Sequence, residues 1–141
     1  MTGYFTTHNG CEILVSPGEY SHSEQISVTK DLRIVGTGSS PTNVYVHGNS
    51  SRAFYVDNSN AFIANLEMKG NLSGNGRTIQ IVNSGGAVSN CVIHVGGGNS
   101  SAYSGGSSIH GVKAFVTHCE FLGNGRSGLG DGWMRGGVVH F

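Results

Sequence analysis

Apolar residues along this chain come in short bursts that alternate with polar ones. Ile26 and Val28, Leu32 and Ile34, Val44 and Val46, Phe54 and Val56, Ile79 and Ile81, Cys91 and Ile93, and Cys119 and Phe121 each flank one intervening residue. A period of two over a few residues, rich in β-branched side chains, predicts a strand with one buried face. Glycine interrupts every longer candidate, and no stretch carries a helical stripe. The expected class is all-β.

The bursts recur in register. Moved forward by 25 positions, Phe54–Gly70 falls on Ile79–Val95, matching Phe54 with Ile79, Val56 with Ile81, Ile63 with Val88, Asn65 with Asn90, Leu66 with Cys91 and Met68 with Ile93. A further shift of 28 reaches Ile109, Val116, His118, Cys119 and Phe121, and a backward shift of 28 sets Ile26 and Val28 under Phe54 and Val56. The repeating unit is about 25–30 residues long and holds three short strands. Such a unit cannot bury its apolar face alone, whereas stacked copies share one continuous core. The expected architecture is a right-handed parallel β-helix, a single-stranded solenoid of about four to five coils with three short strands per coil.

First strands are expected at 25–28, 53–56, 78–82, 108–112 and 137–141, and second strands at 32–35, 61–64, 86–89 and 114–117. Third strands are expected at 44–46, 66–69, 91–95 and 119–122, with 12–15 as the third strand of a preceding partial coil. Asn65, Asn90 and His118 fill the bend between second and third strands. Asn and His are among the few non-glycine residues that enter the left-handed conformation a one-residue corner requires.

Length and charge narrow the picture further. The 141 residues suit one domain, taken as 1–141. Its last residues, Val138 to Phe141, read as an uncapped apolar strand, so a part of a longer solenoid, or copies meeting end to end as a homo-oligomer, is expected. Glycine, serine and asparagine make up 54 of the 141 residues, divided between corners and loops. Eight basic residues balance eight acidic ones, which removes the footprint of a nucleic-acid or anionic-membrane binder. No apolar run approaches the roughly 20 residues of a membrane helix, so no membrane insertion is expected, and a signal-peptide pattern is absent from the start of this chain.

The unit V-x-[N/H]-C-x-[I/F], seen as VSNCVI and VTHCEF and followed by a Gly/Asn/Ser-rich loop and GGVVHF, resembles the repeats of secreted right-handed β-helix proteins of bacteria. Polymorphic outer-membrane-protein and autotransporter-like surface proteins are among these. The stretch ILVSPGEYSHSEQISVTKDLRIVGTG is similar to the N-terminal region of pectate-lyase-like β-helices. Together the two likenesses cover most of the chain. They imply the fold and a secreted or cell-surface setting; they do not imply one activity, because this solenoid hosts lyases, hydrolases, esterases and adhesins. A polygalacturonase-like enzyme would carry GDD and GHG segments, and this chain has only GLGDGW near Asp131 and SIHGV around His110. The QDT and DFIFG segments of pectin-esterase-like enzymes are missing, as is a pectate-lyase-like pairing of an acidic calcium cluster with a catalytic arginine.

Residue placement offers candidates of its own. Outward positions of the third strands stack as Tyr45, Glu67, Val92 and Glu120, and two residues on as His47, Lys69, His94 and Leu122. Glu67 and Glu120 stand about 9.6 Å apart along the axis at the strand spacing, with His94 diagonally between. That separation borders the roughly 6.5–9.5 Å of inverting glycoside hydrolases, so Glu67, His94 and Glu120 are the catalytic candidates, with a solvated polar face as the plainer reading. The longest connections follow the third strands, at 70–77, 96–107 and 123–136. They carry Tyr103 and then Arg126, Asp131, Trp133 and Arg135, the candidate ligand-binding residues; alternatively, Trp133 covers the last coil's core.

No cofactor is expected. Calcium needs several converging oxygens, and Asp57 to Asn60 offers one carboxylate better explained as a turn. His22, His47, His94, His110, His118 and His140 lack a zinc spacing. Cys91 and Cys119 occupy equivalent inward positions in adjacent coils, near enough for a disulfide, although such side chains more often stay packed thiols. The leading expectation is a non-catalytic, adhesin-like protein that binds a polysaccharide or host-surface glycan. A polysaccharide lyase or glycoside hydrolase is the first alternative and a self-assembling structural solenoid the second.

Overall fold

The computed structural model describes residues 10–50, 52–70, 78–95, 108–111 and 114–123. In chain order the strands are β1 (Cys11–Val15), β2 (Gly18–His22), β3 (Ile26–Val28), β4 (Leu32–Gly36), β5 (Val44–Gly48), β6 (Phe54–Val56), β7 (Phe62–Ala64), β8 (Glu67–Lys69), β9 (Ile79–Asn83), β10 (Gly86–Ser89), β11 (Val92–Val95), β12 (Ser108–Gly111), β13 (Ala114–Thr117) and β14 (Glu120–Gly123). One 3-10 turn, Pro41–Asn43, precedes β5. The chain visits three sheets in rotation. Sheet A stacks β1, β4, β7, β10 and β13; sheet B stacks β2, β5, β8, β11 and β14; sheet C stacks β3, β6, β9 and β12. Every pairing is parallel. The architecture is a parallel β-solenoid, as the repeats predict.

Alternation along each strand sends one row of side chains into the shared core. In sheet A, Ile34, Ile63, Val88 and Val116 stack in register. In sheet B, Val46, Met68 and Ile93 do the same, and in sheet C Phe54 lies on Ile79 and Val56 on Ile81. Phe54, Ile63, Met68, Ile79, Ile81 and Ile93 are fully buried, and each such side chain contributes about 1.5–3 kcal/mol relative to exposure. At the ends of the inward row in sheet B, Tyr20 and Phe121 are about two-fifths exposed, each on an edge strand of the sheet among the described residues.

The corner between sheets A and B follows expectation. Asn65, Asn90 and His118 take φ of 55°, 49° and 51°. The side-chain amide of Asn65 donates to the carbonyls of Gly36 at 2.7 Å and Gly38 at 2.8 Å, and Asn90 Nδ2 donates to Asn65 Oδ1 at 3.0 Å. The Asn65 and Asn90 corners are thereby each tied to the preceding coil. Gly36 is required here for space: a Cβ on it would lie 2.0 Å from the Asn65 carbonyl oxygen.

The first coil differs from expectation. Residues 12–15 do not form a third strand; they belong to β1, which pairs with β4 in sheet A, from Cys11 opposite Leu32 to Val15 opposite Gly36. The third-strand place of that coil is held by β2, which the hydrophobic pattern did not reveal. Only residues 16–17 separate β1 from β2, whereas residues 37–43 separate β4 from β5. This shortens the local repeat and shifts the apparent phase. The strand expected at 137–141 lies outside the described residues.

Candidate functional site

The outer face of sheet B carries a row of titratable side chains. Its register stacks Glu19, Tyr45, Glu67, Val92 and Glu120 in one row, and Ser21, His47, Lys69, His94 and Leu122 in the next. Side chains two positions apart on neighbouring strands meet diagonally. The same diagonal is used twice. His47 Nε2 contacts Glu19 Oε1 at 2.9 Å, and His94 Nε2 contacts Glu67 Oε1 at 2.5 Å. Each pair spans one coil, with 28 and 27 positions between the partners.

Tyr45 joins the two pairs. Its ring stacks on His47 with centroids 5.0 Å apart and an interplanar angle of 24°, and it tilts against the His94 ring at 6.2 Å and 60°. Burial pushes its phenol above the ordinary value, and the charges of Glu67 and Glu19 push it further in the same direction. Tyr45 therefore stays a neutral hydroxyl between two carboxylates. The pairs differ in shielding: Glu67 and His94 are both 21% exposed, whereas Glu19 is 69% exposed beside a 21% exposed His47. Beneath the strip, at the end of β2, His22 contacts the Glu24 carbonyl through Nδ1, and its buried Nε2 has no hydrogen-bond partner. Burial lowers its basicity, the Glu24 carbonyl opposes this, and His47 lowers it further.

Of the three catalytic candidates, the structure brings Glu67 and His94 into contact. Glu120 is an exposed residue on β14, separated from Glu67 by buried Val92. Tyr103, Arg126, Asp131, Trp133 and Arg135 lie outside the described residues. Sequence reading placed Tyr45 and His47 on this face without marking them as part of a site, and it missed Glu19 altogether, because β2 was missed. The signal that finds them is the near-equal spacing of the two Glu and His pairs, one repeat apart.

Other candidate chemistry resolves into structure. The turn carrying Asp57 to Asn60 hydrogen-bonds to neighbouring coils: Asp57 accepts from Asn83 Nδ2 and from the Ser84 N–H, both at 3.0 Å, and Asn60 Nδ2 donates to Asp31 Oδ2 at 3.2 Å. Those donors, Ser84 N–H foremost, hold the Asp57 carboxyl below its usual range. Among the described residues no cluster of three or more His, Cys, Asp or Glu is arranged to hold a metal ion. Cys11, Cys91 and Cys119 are all free thiols.

What the strip offers a ligand is a stacked aromatic plane flanked by carboxylates and imidazoles, which donate and accept hydrogen bonds at regular intervals. Three glutamates and one lysine make it electronegative when the histidines are neutral. No protein-family model, curated protein or solved structure matches this chain.

Proposed function

We propose that this protein is a non-catalytic, secreted or surface-exposed β-solenoid, adhesin-like in role, whose sheet B outer face binds an uncharged glycan. The observation that carries the reading is the pair of Glu–His contacts bracketing the Tyr45–His47 stack. An aromatic surface with a few fixed polar groups suits a sugar ring, which has apolar faces and a rim of hydroxyls. The surface setting rests on the repeat resemblance in the sequence. The charge argument selects the glycan class: Glu19, Glu67 and Glu120 oppose uronates, and Lys69 is the one cation in these two rows.

Calorimetric titration with neutral oligosaccharides and with oligouronides of equal length tests the proposal. Binding of a neutral oligomer, weakened about tenfold or more by Tyr45→Ala, is the expected result. Absence of binding to every glycan in the panel overturns glycan recognition. Tighter binding of an oligouronide overturns the uncharged class alone. A second reading, a polysaccharide lyase or hydrolase, draws support from the short, shielded Glu67–His94 contact, which has the form of a carboxylate-held general base. It requires new reducing ends or unsaturated products from a polysaccharide, abolished by Glu67→Gln.

A further inference from the structure

Cys91 and Cys119 each follow a left-handed corner residue, Asn90 or His118, and precede the neighbouring strands β11 and β14. The backbone N–H of Glu120 donates to the Cys91 carbonyl at 2.9 Å, and Val92 lies opposite Glu120, so the two cysteines occupy successive rungs. Both pack against the core, Cys91 fully buried and Cys119 half-buried. Each sulfur lies 3.2 Å from the carbonyl oxygen two residues earlier. The rung spacing of about 4.8 Å falls within the Cα separation a disulfide spans, about 4.4–6.8 Å.

We propose that Cys91 and Cys119 form a reversible disulfide that staples β11 to β14, made by exchange with a small-molecule disulfide such as oxidised glutathione. Cys119 is the attacking sulfur. It is the more accessible of the two, and the neighbouring Cys91 thiol pulls it below the ordinary thiol value, whereas Cys119 and burial push Cys91 up. In the first step the Cys119 thiolate attacks one sulfur of the small disulfide, whose S–S bond breaks; one small thiolate leaves and takes up a proton. Cys119 is now a mixed disulfide. Cys91 then loses its proton, attacks the Cys119 sulfur and expels the second small thiol, to which that proton passes. Two protein thiols are oxidised by two electrons, and one external disulfide is reduced to two thiols.

The staple sits where sheets A and B reach β13 and β14, the edge strands of the described stack. It closes a loop over residues 92–118 and so restricts the unfolded chain at the edge from which the stack would unzip.

Intact-mass spectrometry and thiol titration of the full chain in glutathione buffers of increasing oxidation test this. The expected result is a fall from three titratable thiols to one, the mass loss of two hydrogens, and a non-reducing peptide map joining the Cys91 and Cys119 peptides. The melting temperature should rise by roughly 5 °C over the reduced protein. The variant Cys91→Ser should hold glutathione stably on Cys119, since nothing resolves the mixed disulfide. Retention of three thiols by native protein in fully oxidised buffer overturns the proposal. So does a map that joins Cys11 to either partner, or a wild-type chain that stops at the glutathione adduct. The wild-type peptide map decides the matter even if Cys91→Ser does not fold.

Discussion

The corner between sheets A and B and the turn between sheets C and A both tie one coil to the next through side-chain groups, yet they do it in different surroundings. At the corner, the half-buried Asn65 amide reaches two backbone carbonyls, and Asn90 reaches Asn65 in turn. At the turn, Asp57 accepts from Asn83 Nδ2 and the Ser84 N–H of the following coil through solvent-exposed bonds. Similar bonds are made in both places. A hydrogen bond counts for more where water cannot replace it, because the alternative is an unsatisfied group. The corner also fixes a backbone conformation that most residues resist, whereas the turn can be built from several polar residues.

Four substitutions test that contrast, in falling order of effect. Gly36→Ala places a methyl against the Asn65 carbonyl in the tightest part of the corner, and urea denaturation should show a loss of about 3 kcal/mol or more, or no folded protein at all. A neutral outcome there would mean the corner relaxes freely. Asn65→Ala combines a left-handed alanine, costing about 1–2 kcal/mol, with the loss of three hydrogen bonds at about 0.5–1 kcal/mol each. Asn65→Gly removes the same bonds without the conformational penalty and should cost less. Equal losses in the two variants would show that the backbone conformation contributes nothing measurable.

Asp57→Asn should have the smallest effect, at the margin of a thermal melt at neutral pH, and its signature should be pH dependence. Because the folded carboxyl is held below its ordinary value, its contribution is present above the unfolded pKa near 3.8 and is lost as pH falls through the depressed folded value. Wild-type stability should therefore decline more steeply with acidification below about pH 4 than that of Asp57→Asn. Parallel acid profiles would show that the turn carries no linkage.

These contrasts also explain what the sequence could display. The corner was legible because it demands a particular residue type at a fixed phase, and Asn65, Asn90 and His118 recur with their apolar neighbours. The outward register of β5, β8, β11 and β14 followed from the same phase. The strand β2 was not legible: Gly18-Glu-Tyr-Ser-His22 has the composition of a turn, and it becomes a strand because β5 offers it a full set of partners from Val44 to Gly48. With β2 hidden, Glu19 could not be placed opposite Tyr45, and half of the paired Glu–His arrangement stayed out of view. The left-handed Asn83, at φ 40°, was not signalled by the repeat, because Asn58 stands 25 residues earlier at the equivalent position without a positive φ.

The one-residue corner has a consequence for how such a molecule can change over generations. Each unit leaves its corner in the same direction it entered the previous one, and its ladder bonds run only to the units directly above and below. An in-frame duplication or deletion of one unit therefore restores the same neighbours on both sides of the joint. The connections leaving sheet B already differ in length: residues 49–53 separate β5 from β6, and residues 96–107 separate β11 from β12. Copying a coil would also copy its outward row, so a Glu–His pair multiplied this way arrives already in register with the last.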